Sequence, residues 1–180
     1  AAKEEISRQT SEMLKMDIIS ESQSPWCSPV ILVTKKNNEK RFCIDYRKVN
    51  DVTPSIWFPL PSFDLVLDEM AQKQPTIFSL LDMRSGYWQI KLDPETKHRT
   101  AFSTHEGHYE FNRLAFGLKN APFTFQQLMH SVLRKLLFKF CLVYIDDVLI
   151  FSKDMTEHLD HLKQIFDRFR ESNLKLHPTK

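Results

Sequence analysis

The run from Phe140 to Phe151 sets two adjacent carboxylates, Asp146 and Asp147, inside otherwise apolar sequence: Phe140-Cys141-Leu142-Val143-Tyr144-Ile145 before them and Val148-Leu149-Ile150-Phe151 after. Side-by-side like charges between β-branched and aromatic residues carry a desolvation and repulsion cost that a fold with no use for them avoids. A bound cation removes that cost. The flanking runs have the length and composition of short buried strands, so the pair is expected at the tight turn of a hairpin, with its carboxylates at the rim of a sheet. The ordinary alternative is an acidic turn facing solvent, and the amount of apolar sequence on both sides argues against it.

Composition bounds what such a hairpin can belong to. The 180 residues are 42% hydrophobic and include 14 Phe, enough for one domain with a real core and room for two lobes. A formal charge of +2 does not by itself announce a nucleic-acid partner, so any such partner has to be argued from where the charges lie. Cys27, Cys43 and Cys141 are far apart and lack a C-x-x-C spacing, which speaks against a disulfide framework or a zinc site and fits a reducing intracellular compartment. No apolar run approaches the length of a membrane span, and the start has no signal-peptide layout. A start at Ala1 and an end at Pro178-Thr179-Lys180 read as a fragment of a longer polypeptide.

Along the chain, Ile6, Met13, Leu14 and Ile18 stand near helical spacing and predict a helix over residues 3–19, followed by a Ser- and Pro-containing linker over 20–29. Val30–Thr34 and Arg41–Ile44 predict a hairpin whose tip, Lys35-Lys36-Asn37-Asn38-Glu39-Lys40, is basic. Ser62 is positioned to cap a helix carrying Phe63, Val66, Leu67 and Met70, ended by Pro75. Thr76–Leu81 reads as a strand running into Asp82, and Arg99–Ser103 with His108–Phe111 as a further hairpin around His105-Glu106-Gly107. Asn120-Ala121-Pro122 opens a helix expected to reach about Leu137, with Phe125, Leu128, Met129, Val132, Leu133 and Leu136 on its buried side. Asp154 with Glu157 three residues on predicts the start of a last helix that buries Leu162, Ile165, Phe166 and Phe169.

Strands interspersed with helices, joined by hairpins that require antiparallel pairing, point to an α+β fold with helices covering one face of the sheet. With glycine only at 86, 107 and 117 there is no G-x-G-x-x-G or P-loop, so a nucleotide would be held by basic side chains and metal. Asp82 ends its strand as Asp146 ends Cys141–Ile145, and adjacency of the two strands would gather three carboxylates at one rim. Such a hard, oxygen-rich set suits magnesium, and two ions about 3.5 to 4 Å apart support phosphoryl transfer. Asp82 alone has an ordinary alternative as a helix cap; the joint pattern argues against it.

Tyr144-Ile145-Asp146-Asp147 resembles the Y-x-D-D motif of reverse transcriptases, and Leu81-Asp82-Met83-Arg84-Ser85-Gly86-Tyr87-Trp88-Gln89-Ile90 resembles their first catalytic motif, in the right order. Further segments, Ser24-Pro25-Trp26-Cys27-Ser28-Pro29, Arg41-Phe42-Cys43-Ile44-Asp45-Tyr46-Arg47, Arg99-Thr100-Ala101-Phe102, Phe116-Gly117-Leu118-Lys119-Asn120-Ala121-Pro122 and His161-Leu162, are similar to pieces of the polymerase of gypsy-type LTR retrotransposons. Phe116, where retroviral enzymes tend to carry Gln, favours the retrotransposon branch.

The resemblance implies a right-hand palm with a ferredoxin-like antiparallel sheet packed by helices, plus a fingers hairpin, so that residues 1–180 would be fingers and palm without thumb, connection or RNase H. It implies RNA-directed DNA polymerase activity, with deoxynucleotides added to a primer 3′-hydroxyl. Asp82, Asp146 and Asp147 would hold two Mg2+ ions, Mn2+ being able to substitute, with the Met83 carbonyl as a further ligand. Arg41 and one of Lys35 or Lys36 would grip the triphosphate, a role that suits a guanidinium fork and a compact ammonium. Tyr87 would be the steric gate against a ribose 2′-hydroxyl, with Phe116 and Gly117 lining the same nucleotide pocket. Tyr144 would pack near the primer end, and Arg47 and Lys48 would reach the template backbone. The implied partners are an RNA or DNA template with its primer, deoxynucleoside triphosphates and the remaining Pol regions, integrase included. The implied location is a cytoplasmic virus-like particle or the nucleus. A non-catalytic remnant that binds nucleic acid or serves as an interaction domain stays open as a second reading, which the intact aspartates disfavour. An RNA-dependent RNA polymerase is a third, disfavoured by the aromatic Tyr87.

Overall fold

The computed structural model describes residues 2–34, 40–58, 68 and 71–178. The chain forms two compact units, each assembled from two stretches: Ala1–Ser55 with Tyr87–Ala121, and Ile56–Gly86 with Pro122–Lys180. The basic tip at 35–39 and the helix expected around Phe63, Val66, Leu67 and Met70, with its cap Ser62, lie outside the described residues.

In the first unit, α1 (Ala2–Lys15) stops earlier than its apolar spacing suggests. Asp17 adopts a left-handed φ of 54°, and the Ile18 N–H donates to the Met13 carbonyl at 2.9 Å while the Asp17 N–H donates to Leu14 at 3.1 Å. This is a Schellman ending, and it redirects Ile18 and Ile19 into the core instead of continuing the helix. The expected linker begins with a short strand, β1 (Ile19–Glu21). The predicted hairpin is present as β2 (Ser28–Thr34) and β3 (Lys40–Ile44), paired antiparallel from Val30 with Ile44 to Thr34 with Lys40. A short helix, α2 (Arg47–Asp51), follows it.

The strand expected over Arg99–Ser103 is shorter than that range, because Lys97–Thr100 is a 3-10 turn and only Phe102–Ser103 (β5) is extended. The Thr100 hydroxyl explains the difference: it donates to the Lys97 carbonyl at 2.6 Å and accepts from the Phe111 N–H at 2.9 Å, closing its own turn. With β6 (His108–Phe111) these strands make a five-stranded sheet in the order β1-β6-β5-β2-β3, in which β2 and β5 run parallel and every other pair is antiparallel. Its core gathers Phe102 against the rings of Phe42, Tyr109 and Phe111. Tyr46 is buried beside them with its hydroxyl donating to the Thr100 carbonyl at 2.9 Å.

The second unit holds a separate three-stranded antiparallel sheet ordered β4-β8-β7, so the strands expected in one sheet are divided between two. Its members are β4 (Ile77–Asp82), β7 (Cys141–Tyr144) and β8 (Asp147–Ser152). The helix that opens after Asn120, α3 (Ala121–Leu133), ends before Leu137: the Leu136 N–H donates to the Leu133 carbonyl at 2.8 Å in a tighter turn, and Phe138 follows at φ 61°. The last helix, α4 (Met155–Glu171), packs on β8. Its start is as expected: the Asp154 carboxylate accepts from the Glu157 N–H at 2.9 Å, and Glu157 accepts from the Lys153 N–H at 2.7 Å. Phe166, expected inside, is 40% exposed, because a stripe through His158, Ile165 and Phe169 leaves it about a quarter turn off the buried face. Among the described residues no helix is long and apolar enough to cross a membrane.

Candidate active site

Register builds the site. β7 and β8 are joined by a two-residue loop, Ile145-Asp146, with Tyr144 facing Asp147. Only Asp146 therefore sits in the turn; Asp147, also expected there, is the first residue of β8 and takes part in the ladder. Ile145 has φ 57°, a conformation that costs a β-branched residue of order 1–2 kcal/mol and that glycine usually fills in such turns.

The next strand over, β4, pairs with β8 so that Asp82 faces Asp147. The Met83 N–H donates to the Asp146 carbonyl at 3.3 Å, which makes 82 and 147 a non-hydrogen-bonded pair, the position where facing side chains come closest. Asp82 and Asp146 are half-buried and Asp147 is exposed, so the carboxylates stand at the open end of the sheet. Met83 is buried and bridges to Leu176, while the His177 N–H donates to the Asp82 carbonyl at 2.9 Å. These bonds fix the backbone under the acids from both sides.

Among the described residues no three His, Cys, Asp or Glu side chains are drawn together as a ready cage. The donor set nonetheless fits magnesium, which is usually held by one or two carboxylates with waters and substrate oxygens completing its shell. Two carboxylates on facing residues with a third one residue away, all hard oxygen donors, meet that requirement at the level of backbone placement.

Of the remaining sequence-predicted residues, Arg41, Arg47, Lys48, Tyr87, Phe116 and Gly117 lie in the first unit, while Tyr144 ends β7 and is 56% exposed. The rings of Tyr87 and Phe116 meet, with centroids 4.9 Å apart, and Trp88 stands edge-on to Phe116 at 5.9 Å. The structure thus brings together the two aromatic residues expected to line one pocket. Gly117 has φ 91°, the left-handed region that accounts for glycine there. Arg41 is exposed on β3 opposite Val33. Lys35 and Lys36 lie outside the described residues. Arg47 and Lys48 border a cleft of about 660 Å3 that Trp26 and Cys27 also line. Arg47 is held there by Asp45, with Nη2 to Oδ2 at 2.6 Å, and these bonds pull the Asp45 carboxyl down to about 2.

Two positioning residues escaped the sequence reading. Asn50 donates to the Gly117 carbonyl and accepts from the Lys119 N–H, both at 2.8 Å, pinning the turn that follows Phe116. Gln126 is fully buried on α3, donates to the Val143 carbonyl at 3.1 Å and accepts from the Ile145 N–H at 2.6 Å. The available signal was a polar residue between Phe125 and Met129 on an apolar helix face, since a buried amide is retained where it has partners.

The model of a family described as reverse transcriptase (RNA-dependent DNA polymerase) matches residues 33–180. The chain is 45% identical over 177 residues to the retrovirus-related Pol polyprotein from transposon 297 of Drosophila melanogaster, covering 96% of this chain and 16% of that polyprotein. It is 37% identical over 177 residues to the corresponding polyprotein from transposon gypsy of the same species, covering 95% and 17%. It therefore spans about a sixth of the length of these relatives. In fold it resembles the foamy viral protease-reverse transcriptase solved in complex with RNA/DNA hybrid, with a TM-score of 0.80 and 24% identity over 94% of this chain and 22% of that one. Sequence match, fold and the order of its motifs agree: the chain belongs to the reverse transcriptase (RNA-dependent DNA polymerase) family, with Pol polyproteins of gypsy-type transposons among its relatives.

Proposed function

We propose that the chain is the fingers and palm of an RNA-directed DNA polymerase, the first unit being the fingers and the second the palm, and that it adds deoxynucleotides to a primer on an RNA or DNA template. The observation that carries this reading is the pairing of Asp82 with Asp147 beside the turn residue Asp146. In the reaction the primer 3′ oxygen forms a bond to the α-phosphorus as the bond to the bridging oxygen breaks; pyrophosphate leaves and the hydroxyl proton passes to solvent. What bound Mg2+, or Mn2+ in its place, supplies is Lewis-acid stabilisation of the attacking and leaving oxygens. Asp82, Asp146 and Asp147, with the Met83 carbonyl, would hold it. Arg41, with Lys35 or Lys36, binds the triphosphate; Tyr87, Phe116 and Gly117 shape the space for base and sugar. Tyr144 packs at the primer end, and Arg47 and Lys48 contact template phosphates without reading sequence.

The test is magnesium-dependent primer extension by the 180-residue chain on RNA and DNA templates, with Asp82→Asn and Asp146→Asn as controls. Extension by the parent and its loss in both variants is the expected result. Undiminished extension by either variant would refute the assignment. Template binding without extension by the parent would favour a nucleic-acid-binding remnant.

A further inference from the structure

Gln126 does for the acidic hairpin what a neighbouring strand would do. β7 is an edge strand, and with Tyr144 hydrogen-bonded towards β8 the groups flanking it, the Val143 carbonyl and the Ile145 N–H, point away from the sheet. The Gln126 amide satisfies both, with Nε2 donating to Val143 and Oε1 accepting from Ile145. It reaches them from a helix position with no exposed surface, between the fully buried Phe125 and Met129, so its own rotamer has little freedom. The bond to Ile145 is made at the one residue of the turn held at positive φ.

We infer that Gln126 is a positioning residue for nucleotidyl transfer: its amide holds Ile145 in the left-handed conformation and so sets the direction in which the next residue, Asp146, presents its carboxylate. The inference rests on the proposed metal-binding role of Asp146. Released from the clamp, an isoleucine at φ 57° favours other turn conformers by about 5- to 30-fold, and the carboxylate goes with them. Removing an outer partner of a metal-binding group typically weakens the metal by about 10- to 100-fold.

The experiment measures Mn2+ affinity of the 180-residue chain by the paramagnetic resonance of free Mn2+, alongside amide hydrogen exchange at Ile145 and the urea midpoint. Gln126→Met, of similar volume and without the amide, is expected to speed exchange at residue 145 and weaken Mn2+ by about 10- to 100-fold. Adding Ile145→Gly to that variant is expected to restore Mn2+ affinity to within about threefold, because glycine adopts the turn without strain, while leaving the urea midpoint low. A general packing defect would not be rescued by this change. Unchanged Mn2+ affinity in Gln126→Met, or a loss that Ile145→Gly does not repair, would overturn the inference. Asp146→Asn with Gln126 intact separates the two ideas. If it abolishes Mn2+ binding and Gln126→Met does not, the inference alone has failed. If Asp146→Asn leaves binding unchanged, or the parent binds no Mn2+, the metal reading falls and the inference with it.

Discussion

Gly86→Ala tests how tightly the loop after Asp82 is seated on α3. A Cβ at residue 86 would stand 3.1 Å from Cζ of Phe125 and 3.4 Å from both Cε atoms, where carbon atoms normally rest at about 3.5–4.0 Å. Phe125 is fully buried, so its ring can yield only by displacing core neighbours or filling a void between them. Overpacking of this kind costs about 1–3 kcal/mol, and the reduced freedom of the unfolded chain returns about 0.4–1 kcal/mol. Gly86 is not at positive φ, so no backbone strain adds to this. A net loss of about 1–2 kcal/mol is expected in urea unfolding. If the loop moves instead of the ring, the Met83 N–H loosens from the Asp146 carbonyl, and faster hydrogen exchange at Met83 reports it. Phe125→Leu should relieve the clash, so the double variant should be less destabilised than the sum of the two changes by at least about 0.5 kcal/mol. Additivity within about 0.3 kcal/mol, or a Gly86→Ala chain as stable as its parent, would show that the contact does not limit the packing.

Three further outcomes can be checked. Burial raises the Glu110 pKa, but bonds from the Ser22 hydroxyl and the Lys97 ammonium outweigh it and hold the group below the usual range, Lys97 Nζ standing 3.0 Å from Oε1. A depressed carboxyl contributes stability that is present above its unfolded pKa and is lost as pH falls through the folded one. Lys97→Met should therefore cost about 1–3 kcal/mol at pH 7 and progressively less below about pH 4; a difference independent of pH would refute this. Alkylation at pH 8 followed by mass spectrometry should modify the exposed Cys27 first, Cys43 more slowly, and Cys141 only on unfolding, since burial pushes the Cys141 thiol up to about 12; equal rates at Cys27 and Cys141 would contradict it. Tyr87→Ala and Tyr87→Val should raise the ratio of ribonucleotide to deoxynucleotide incorporation in single-nucleotide extension, and an unchanged ratio in both would reduce Tyr87 to a packing partner of Phe116.

The hairpin bearing Asp146 and Asp147 was legible because composition alternates sharply there, from buried strand to acid to buried strand. Its register was less so: the position of a two-residue loop depends on turn conformation, and a β-branched Ile145 at positive φ is one that residue preferences argue against. β1 was invisible because its three residues, Ile19–Glu21, are extended only through pairing with Tyr109–Phe111, some 90 positions away. Ile18 kept the helical spacing of α1 although the helix ends before it, since a C-terminal hydrophobic residue serves a Schellman ending and a helix face alike. The division of the strands into two sheets could not be read from local pattern, because β4 and β8 find each other across more than sixty residues.

The second unit concentrates its locally unfavourable choices on one hairpin. Like charges on facing residues and a strained Ile145 together work against folding by a few kcal/mol at most, on the scale of 0.2–1 for the pair and about 1–2 for the turn. The buried residues around them are conventional: Val148 and Ile150 are fully buried, Cys141 and Phe125 likewise, and Gln126 satisfies the outer edge of β7 beside the turn. A core of that kind tolerates such a cost at one point, and a sequence selected for stability alone would place Gly at 145 and a neutral pair at 82 and 147. The chain does neither and also commits a buried amide to that turn, which supports the proposed metal-binding role of the Tyr144–Asp147 corner, the segment that carries the Y-x-D-D resemblance.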